Sequence, residues 1–261
     1  MGYETISLTT DARGVATLRL DRAEKRNAMS AQMIAELTEA ADAIAARGDI
    51  RAVVLAAAGD TFCAGGDLAW MKQQREVDAE TRGREARKLA EMLQRLNTLP
   101  QPLIGRVQGN VFGGGVGLAS VCDVAIGVDG LEMGFTETGL GLIPATIGPF
   151  VVARMGEGRA RRVFMNARRF DAAEAVEFGL LARAVAADDL DAAVEAEVAP
   201  YLSCAPEAVA AAKRLTRYLG PRIDVEVIDH TIGELVACWE RDEAEEGISA
   251  FFEKRKPAWR A

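Results

Sequence analysis

An α/β fold with a helical C-terminal region is predicted by three observations on this 261-residue chain. Short apolar strands, each tied to a helix-like segment, recur at roughly 50-residue spacing: "RAVVLAAAG" from Arg51, "PLIGRVQG" from Pro102 and, more closely, "DVAIGVD" from Asp123. Beyond Pro144 nearly every segment carries helical rather than strand patterning. Apolar residues make up 49% and charged residues 27%, which suits a globular chain long enough to bury a substantial core.

Taken in order, "YETISLTTDARGVATLRLD" alternates apolar and polar residues around Asp11-Ala-Arg-Gly14, the pattern of a hairpin. Ser30 is an N-cap for a helix whose face is Met33, Ile34, Leu37, Ala41 and Ile44 and which ends near Gly48. "RAVVLAAAG" is a buried strand broken at Gly59-Asp60. "LAWMKQQ" begins a helix, and a charged one runs to "MLQRLNTL", stopped by Pro100. "PLIGRVQG" is a strand, followed by the glycine run, a short helix "VGLASV" and the strand "DVAIGVD". The later segments "ATIGPFVVARMG", "EGRARRVFMN", "DAAEAVEFGL", "DDLDAAVEAEVAPYL" and "PEAVAAAKRLTRYL" read as helices, with Pro206 suited to a first turn. One strand, "LLARAV", interrupts them. Two regions are expected: residues 1–200 as the strand-and-helix core, and 201–261 as a helical module.

Composition narrows the function. The segment "MGYETISLTTDARG" has no basic or apolar leader pattern and no myristoylation signal. Cys63, Cys122, Cys204 and Cys238 are scattered without a CxxC pair, so reduced thiols and a cytoplasmic setting are expected. No apolar run is long enough for a membrane span. A net charge of −8 argues against nucleic-acid binding, although the tail "EKRKPAWR" could meet one phosphate-bearing small molecule. No His/Cys/Asp cluster has metal-ligand spacing. The single histidine, His230, lies far in sequence from the glycine turns, and Cys63 without a base reads as a small buried residue.

Two glycine turns carry the chemistry. In "VFGGGVGLASVCD", four of the five residues from Gly113 to Gly117 are glycine. The dinucleotide fingerprint fails because its third glycine falls on Leu118, and no GK[ST] follows for a P-loop. Tight helix-on-strand packing is the structural reading. A second junction, "DTFCAGGDLAW" with Gly65-Gly66, also lies between a strand and a helix. Two such turns could aim backbone N–H groups at one point, as an oxyanion of a thioester requires.

At these residues the sequence resembles the crotonase superfamily, the enoyl-CoA hydratases and isomerases. "DRAEKRNAMS", "FCAGGDL", "VQGNVFGGGVGLASVCDVAI", "TETGLGLIP" and "ISAFFEKRKPAWR" match its signature segments in order, from about Arg22 to the C-terminus. Ala23 stands where the family often has proline. The resemblance implies a spiral of ββα repeats, a C-terminal helical trimerisation region, and homotrimers often paired into hexamers. It implies an acyl-CoA thioester as substrate, with no separate cofactor. The thioester oxygen would be held by the amides of Gly66 and Gly114. Arg26 and Ala28 would border the coenzyme, Ala64, Asp67 and Leu68 would line the entrance, and Lys254 would approach coenzyme phosphate, from its own or a neighbouring subunit. Asp67 equally fits a helix N-cap.

The two-carboxylate hydratases of that family carry glutamate at the position of Gly117, so here one acid is missing, while Glu137 matches the second. A lone carboxylate needs an apolar pocket to raise its pKa, and Leu140, Leu142, Ile143, Phe135 and Trp70 are available, though most suit the core. The expected function is hydration of a 2-enoyl-CoA, branched and 3-methylglutaconyl-like, since "GLGLIPATIGPFVVARMGEGRARRVFMNARRF" resembles hydratases of such esters and the emptied position at Gly117 would admit a branch. A Δ3,Δ2-enoyl-CoA isomerase using the same Glu137 is the alternative. A non-catalytic acyl-CoA binder is the reading of another class.

Overall fold

Residues 2–260 are described by the computed structural model. β1 (Ile6–Thr10) and β2 (Val15–Leu20) form the expected antiparallel hairpin, and the Asp11 carboxylate closes its turn by accepting from the Arg13 and Val15 amides. α1 (Ala31–Ala45) begins where Ser30 caps it, its Oγ accepting from the Met33 amide at 3.2 Å, and it buries Met33, Ile34, Leu37, Ala41 and Ile44. All six residues of β3 (Ala52–Ala57) are buried, which explains why that strand is apolar without alternation: a parallel strand covered on both faces has no solvent side.

The chain continues through β4 (Thr61–Cys63), α2 (Leu68–Glu76), α3 (Ala79–Asn97), β5 (Leu103–Val107), β6 (Asn110–Phe112), α4 (Gly114–Val121), β7 (Val124–Val128) and β8 (Glu132–Gly134). After a 3-10 helix at Glu137–Leu140 come α5 (Gly148–Met155), α6 (Glu157–Phe164), β9 (Arg169–Asp171), α7 (Ala172–Glu177) and β10 (Arg183–Val185). The end is helical: α8 (Leu190–Leu202), α9 (Pro206–Leu219), α10 (Val225–Trp239) and α11 (Asp242–Phe252). No helix among the described residues is long and apolar enough to cross a membrane.

Two sheets form. The larger runs β1-β2-β3-β5-β7-β10 and is parallel from β2 onward. The smaller runs β4-β6-β8-β9, and only its β8–β9 pair is antiparallel. This second sheet collects the second strands of the ββα repeats that the resemblance implies, strands the residue patterns alone did not mark. Its members are three residues each, too short for any period to register. α4 also starts at Gly114, two residues before the expected "VGLASV", so tertiary packing overrides the poor helix propensity of adjacent glycines.

The main core lies between the larger sheet and α1, α3, α4 and α5. Ile228 and Ile232 of α10 pack on Ala86 and Ala90 of α3. α11 lies against the 3-10 helix, through Ala244 and Ile248 beside Leu140 and Leu142.

Candidate active site

The smaller sheet builds the site. β4, β6 and β8 lie parallel, with Cys63 opposite Val111 and Val111 opposite Met133. Each chain leaves its strand in the same direction, so the segments 64–67, 113–114 and 135–137 emerge at one edge. The two glycine turns then touch. A Cβ on Gly113 would stand 3.8 Å from the Gly65 Cα, and one on Gly65 would stand 3.2 Å from the Phe112 carbonyl oxygen. Gly65 (φ +96°) and Gly113 (φ +48°) both occupy the left-handed half of backbone space that side chains disfavour.

Each turn leaves an amide free. The Met29 amide donates to the Gly65 carbonyl at 2.8 Å, and the Asp67 amide donates to the Met29 carbonyl at 2.9 Å. This parallel bridge uses the peptide groups either side of Gly66 and leaves the Gly66 N–H without an acceptor among the described residues. Gly114 is the first residue of α4, so its N–H has no preceding turn to bond and sits at the positive end of the helix dipole. Two donors on touching turns can hold one oxyanion.

Glu137 opens the 3-10 helix and comes to the same place. Its Oε1 is 3.2 Å from where a Cβ on Gly113 would stand. The residue is half-buried, yet its Oε2 is shielded from solvent with no hydrogen-bond partner among the described residues. Burial pushes its pKa from 4.5 up to about 7, against smaller lowering contributions from the backbone of Glu137 and Thr136. α11 supports the 3-10 helix from behind at close range: a Cβ on Gly247 would lie 2.5 Å from the Leu140 carbonyl carbon. Leu140, Leu142 and Ile143 join that apolar support, whereas Phe135 packs on Phe164 and Phe170 in the core. Trp70 flanks the first turn, its ring 3.8 Å from the Cβ position of Gly66, and its Nε1 is shielded and unpartnered.

Gly117 requires a correction. The acid is missing, but its place is not open space for an acyl branch. A Cβ there would lie 2.5 Å from Ile147 Cγ2 and 3.3 Å from Leu93 Cδ1, and both side chains are buried. The Gly117 side of α4 is core.

Asp67 serves as the N-cap of α2: Oδ1 accepts from the Ala69 and Trp70 amides at 2.8 and 3.3 Å, and Oδ2 pairs with Arg22 at 3.0 Å. Burial alone would raise its pKa, but Arg22 and the two amides outweigh that and lower it. Arg22 also donates to the Ala28 carbonyl at 2.7 Å, fixing the loop that carries Arg26 and Ala28. Asn27, fully buried, pins the same loop, donating to the Ala58 and Thr61 carbonyls at 2.7 and 2.8 Å and accepting from the Arg22 amide. Sequence reading missed Asn27 and Arg22 as positioning residues, although both lie in the quoted "DRAEKRNAMS". The Arg26 carbonyl accepts from the Ala64 amide at 3.0 Å, joining that loop to the first glycine turn. Leu68 is half exposed at the start of α2. Lys254 is exposed past the end of α11, with no side-chain hydrogen bond or ion pair among the described residues, and the single chain does not tie it to the turns. His230 is exposed on α10. The Cys63 thiol is buried and pushed up to about 12, so it stays protonated. Among the described residues no His/Cys/Asp/Glu group is arranged to hold a metal.

The chain is similar to known proteins over most of its length. A profile of the enoyl-CoA hydratase/isomerase family matches residues 10–261. The crystal structure of an enoyl-CoA hydratase from Shewanella pealeana is 37% identical with a TM-score of 0.81, over 98% of this chain and 96% of that one. Pseudomonas aeruginosa AtuE is 38% identical with a TM-score of 0.80, over 99% of this chain and all of its own. An enoyl-CoA hydratase of Alternaria alternata is 33% identical over 218 residues, 83% of this chain and 70% of that protein.

Proposed function

The chain belongs to the enoyl-CoA hydratase/isomerase family, the crotonase superfamily its motifs resemble, and from that premise we propose that it adds water to a 2-enoyl-CoA. The observation that carries this reading is the meeting of two amides unpaired among the described residues, Gly66 and Gly114, with the half-buried Glu137 carboxylate of raised pKa. The thioester oxygen accepts from both amides and draws charge onto itself as an enolate forms. Losing one such donor costs about 3–4 kcal/mol of transition-state stabilisation. Glu137, with a pKa of about 7, is available in both protonation states at neutral pH. Its carboxylate takes a proton from water as the water oxygen bonds to C3, and the resulting acid returns a proton to C2. The C2–C3 double bond becomes single and the elements of water are added across it. With Gly117 supplying no second acid, Glu137 itself is the group we assign to hold the water.

The substrate we assign is a branched, 3-methylglutaconyl-like ester. Support comes from the resemblance of residues 139–170 alone, since the packed surroundings of Gly117 remove the steric reason for it. Arg26, Ala28, Ala64, Leu68 and Lys254 are assigned to the coenzyme and acyl entrance, and no cofactor is invoked beyond the thioester. Residues 1–200 are assigned to the catalytic core and 201–261 to assembly into trimers or hexamers in the cytoplasm; the exposed Leu215, Leu219 and Val225 support that assembly role.

One observation favours isomerase chemistry as a second reading: a single carboxylate suffices to move a proton between C2 and C4, and among the described residues of the two turns and the 3-10 helix Glu137 is the one carboxylate not committed to a cap or an ion pair. Mass spectrometry of 3-methylglutaconyl-CoA incubated in oxygen-18 water separates the two. Hydration gives a product heavier by one labelled water, absent with Glu137→Gln. Unchanged 3-methylglutaconyl-CoA together with unlabelled conversion of a 3-enoyl-CoA would replace hydration by isomerisation.

A further inference from the structure

At the far end of α4 from Gly114, a cleft of about 890 Å³ opens between the ends of α3 and α4 and the sides of α5 and α9. α4 is eight residues long, which sets this cleft roughly 12 Å of helix away from the Gly114 amide. None of the residues assigned to the thioester lines it.

The charges in the cleft do not balance. Asp123 accepts from the Leu103 amide and from Lys213 Nζ, at 2.7 and 2.6 Å, and Lys213 also donates to the Gln101 carbonyl. Lys213 therefore has its partners. Arg154 spends two of its donor nitrogens on the Ser120 and Asp123 carbonyls, at 3.4 and 3.1 Å. Arg217 is left over. It lies 3.7 Å from Asp123, beyond hydrogen-bond reach, and its Nε is shielded with no partner among the described residues. Ser120, 5% exposed, also lines the cleft with its Oγ unpartnered. Arg154, Lys213 and Arg217 thus share the one carboxylate of Asp123, and with Arg222 and Asp224 also lining the cleft the cations outnumber the acids by four to two in a partly dry setting, where a surplus positive charge is costly. Burial, only partly offset by Asp123 and reinforced by Arg154, lowers the Arg217 pKa in keeping with that cost.

We propose that this cleft binds a small organic anion, a carboxylate on an apolar body, whose oxygens take hydrogen bonds from Arg217 and Ser120. A carboxylate presents two acceptor oxygens to a guanidinium, the geometry arginine matches best. Phe150, Ala153, Val209, Ala212 and Ile223 give the cleft apolar wall between polar residues such as Gln94, Asn97 and Thr216, so the body of the ligand has surface to cover that a bare phosphate would leave wet. The site is independent of the thioester reading.

The test is calorimetric titration of the intact protein with octanoate, alongside inorganic phosphate, with and without saturating acetyl-CoA. One saturable octanoate site per chain is expected, not displaced by acetyl-CoA and not reproduced by phosphate. Arg217→Met should weaken it about 10- to 100-fold, the effect of losing a charge-assisted donor. It leaves the Lys213–Asp123 pair in place. Ala212→Phe, which adds bulk to the cleft wall without removing a charged side chain, should weaken it likewise. No saturation by about 10 mM octanoate, displacement by acetyl-CoA, phosphate binding as tightly as octanoate, or unchanged affinity in both variants would each overturn the assignment.

Discussion

Gly117→Ala puts the packing around the missing acid to a direct test. The added Cβ would stand 2.5 Å from Ile147 Cγ2, 3.1 Å from Ile147 Cβ and 3.3 Å from Leu93 Cδ1. Carbon atoms rest at about 3.5–4.0 Å, so Ile147 must move by roughly an ångström or α4 must shift. Overpacking of this kind costs about 1–3 kcal/mol. Replacing glycine by alanine inside a helix returns about 1 kcal/mol, so the single variant should range from near neutral to about 2 kcal/mol less stable. The informative experiment is a double-mutant cycle with Ile147→Ala, itself expected to cost about 2–5 kcal/mol. With Ile147 cut back the 2.5 Å contact is gone, leaving the milder 3.1 and 3.3 Å contacts to the retained Cβ and to Leu93. Gly117→Ala should then stabilise by up to about 1 kcal/mol, with a coupling of about 1–3 kcal/mol. Calorimetric melting reads this at about 2–4 °C per kcal/mol for a chain of this size, with protein concentration held fixed because assembly adds to apparent stability. Equal effects of Gly117→Ala in both backgrounds would show that Ile147 does not occupy the acid's place. The open-pocket explanation of the glycine would then stand again.

Glu137→Gln should cut kcat/KM about 100- to 10,000-fold, the usual contribution of a general acid–base group. The same variant tests the pKa: because the folded value of about 7 lies above 4.5, Glu137 contributes stability that is complete below about pH 4.5 and lost as pH rises through 7. Melting followed over that window should show wild type declining relative to the Gln variant, and parallel curves would refute the raised pKa. Asn27→Ala removes the side-chain bonds to the Ala58 and Thr61 carbonyls and to the Arg22 amide from a buried loop, and should cost about 2–4 kcal/mol and raise KM for the thioester. A loss under about 0.5 kcal/mol in denaturant titration would deny the loop its pin. Gly247→Ala drives a methyl into the Leu140 backbone and should lower kcat more than it changes KM; steady-state kinetics with an unaltered kcat would show that α11 does not position Glu137.

What could be read from the sequence depended on whether a residue's partner lies nearby along the chain. The hairpin at Asp11–Gly14 and the Ser30 cap announce themselves because their hydrogen bonds close within a few residues. The two glycine turns were found because both end an apolar strand and start a helix. Nothing local, however, says that β4, β6 and β8 pair. Three residues carry no measurable period, and their pairing joins positions such as Cys63 and Val111 across more than a helix of intervening chain. Glu137 was identifiable from its motif, while its depth was not, because the burial that raises its pKa depends on how the chain closes around it. Asp67 illustrates the reverse. Its capping role follows from its place before "LAWMK", but the Arg22 partner that commits its second oxygen lies 45 residues earlier.

The glycine run itself is best understood one position at a time, because its members are small for different reasons. At Gly113 the backbone is left-handed and a Cβ would crowd the Glu137 carboxylate at 3.2 Å. A Cβ on Gly114 would fall 2.0 Å from Met29 Cε, the end of a side chain able to swing, whereas one on Gly115 would strike the Cys63 carbonyl oxygen at 2.7 Å, which is held in β4. Gly117 meets Ile147 in the core. Only the first two positions border the proposed reacting groups; the third lets α4 press against β4, and the fourth lets Ile147, just before α5, pack against α4. A side chain at Gly115 would therefore push α4 away from β4 and carry the Gly114 amide with it. It would disrupt the proposed oxyanion site without touching a substrate atom, and a side chain at Gly117 would strain the far side of the same helix first. Tight helix-on-strand packing and close approach to a ligand are thus not alternatives in this run: the packing at Gly115 is what holds the amide of Gly114 where Gly66 and Glu137 can meet it.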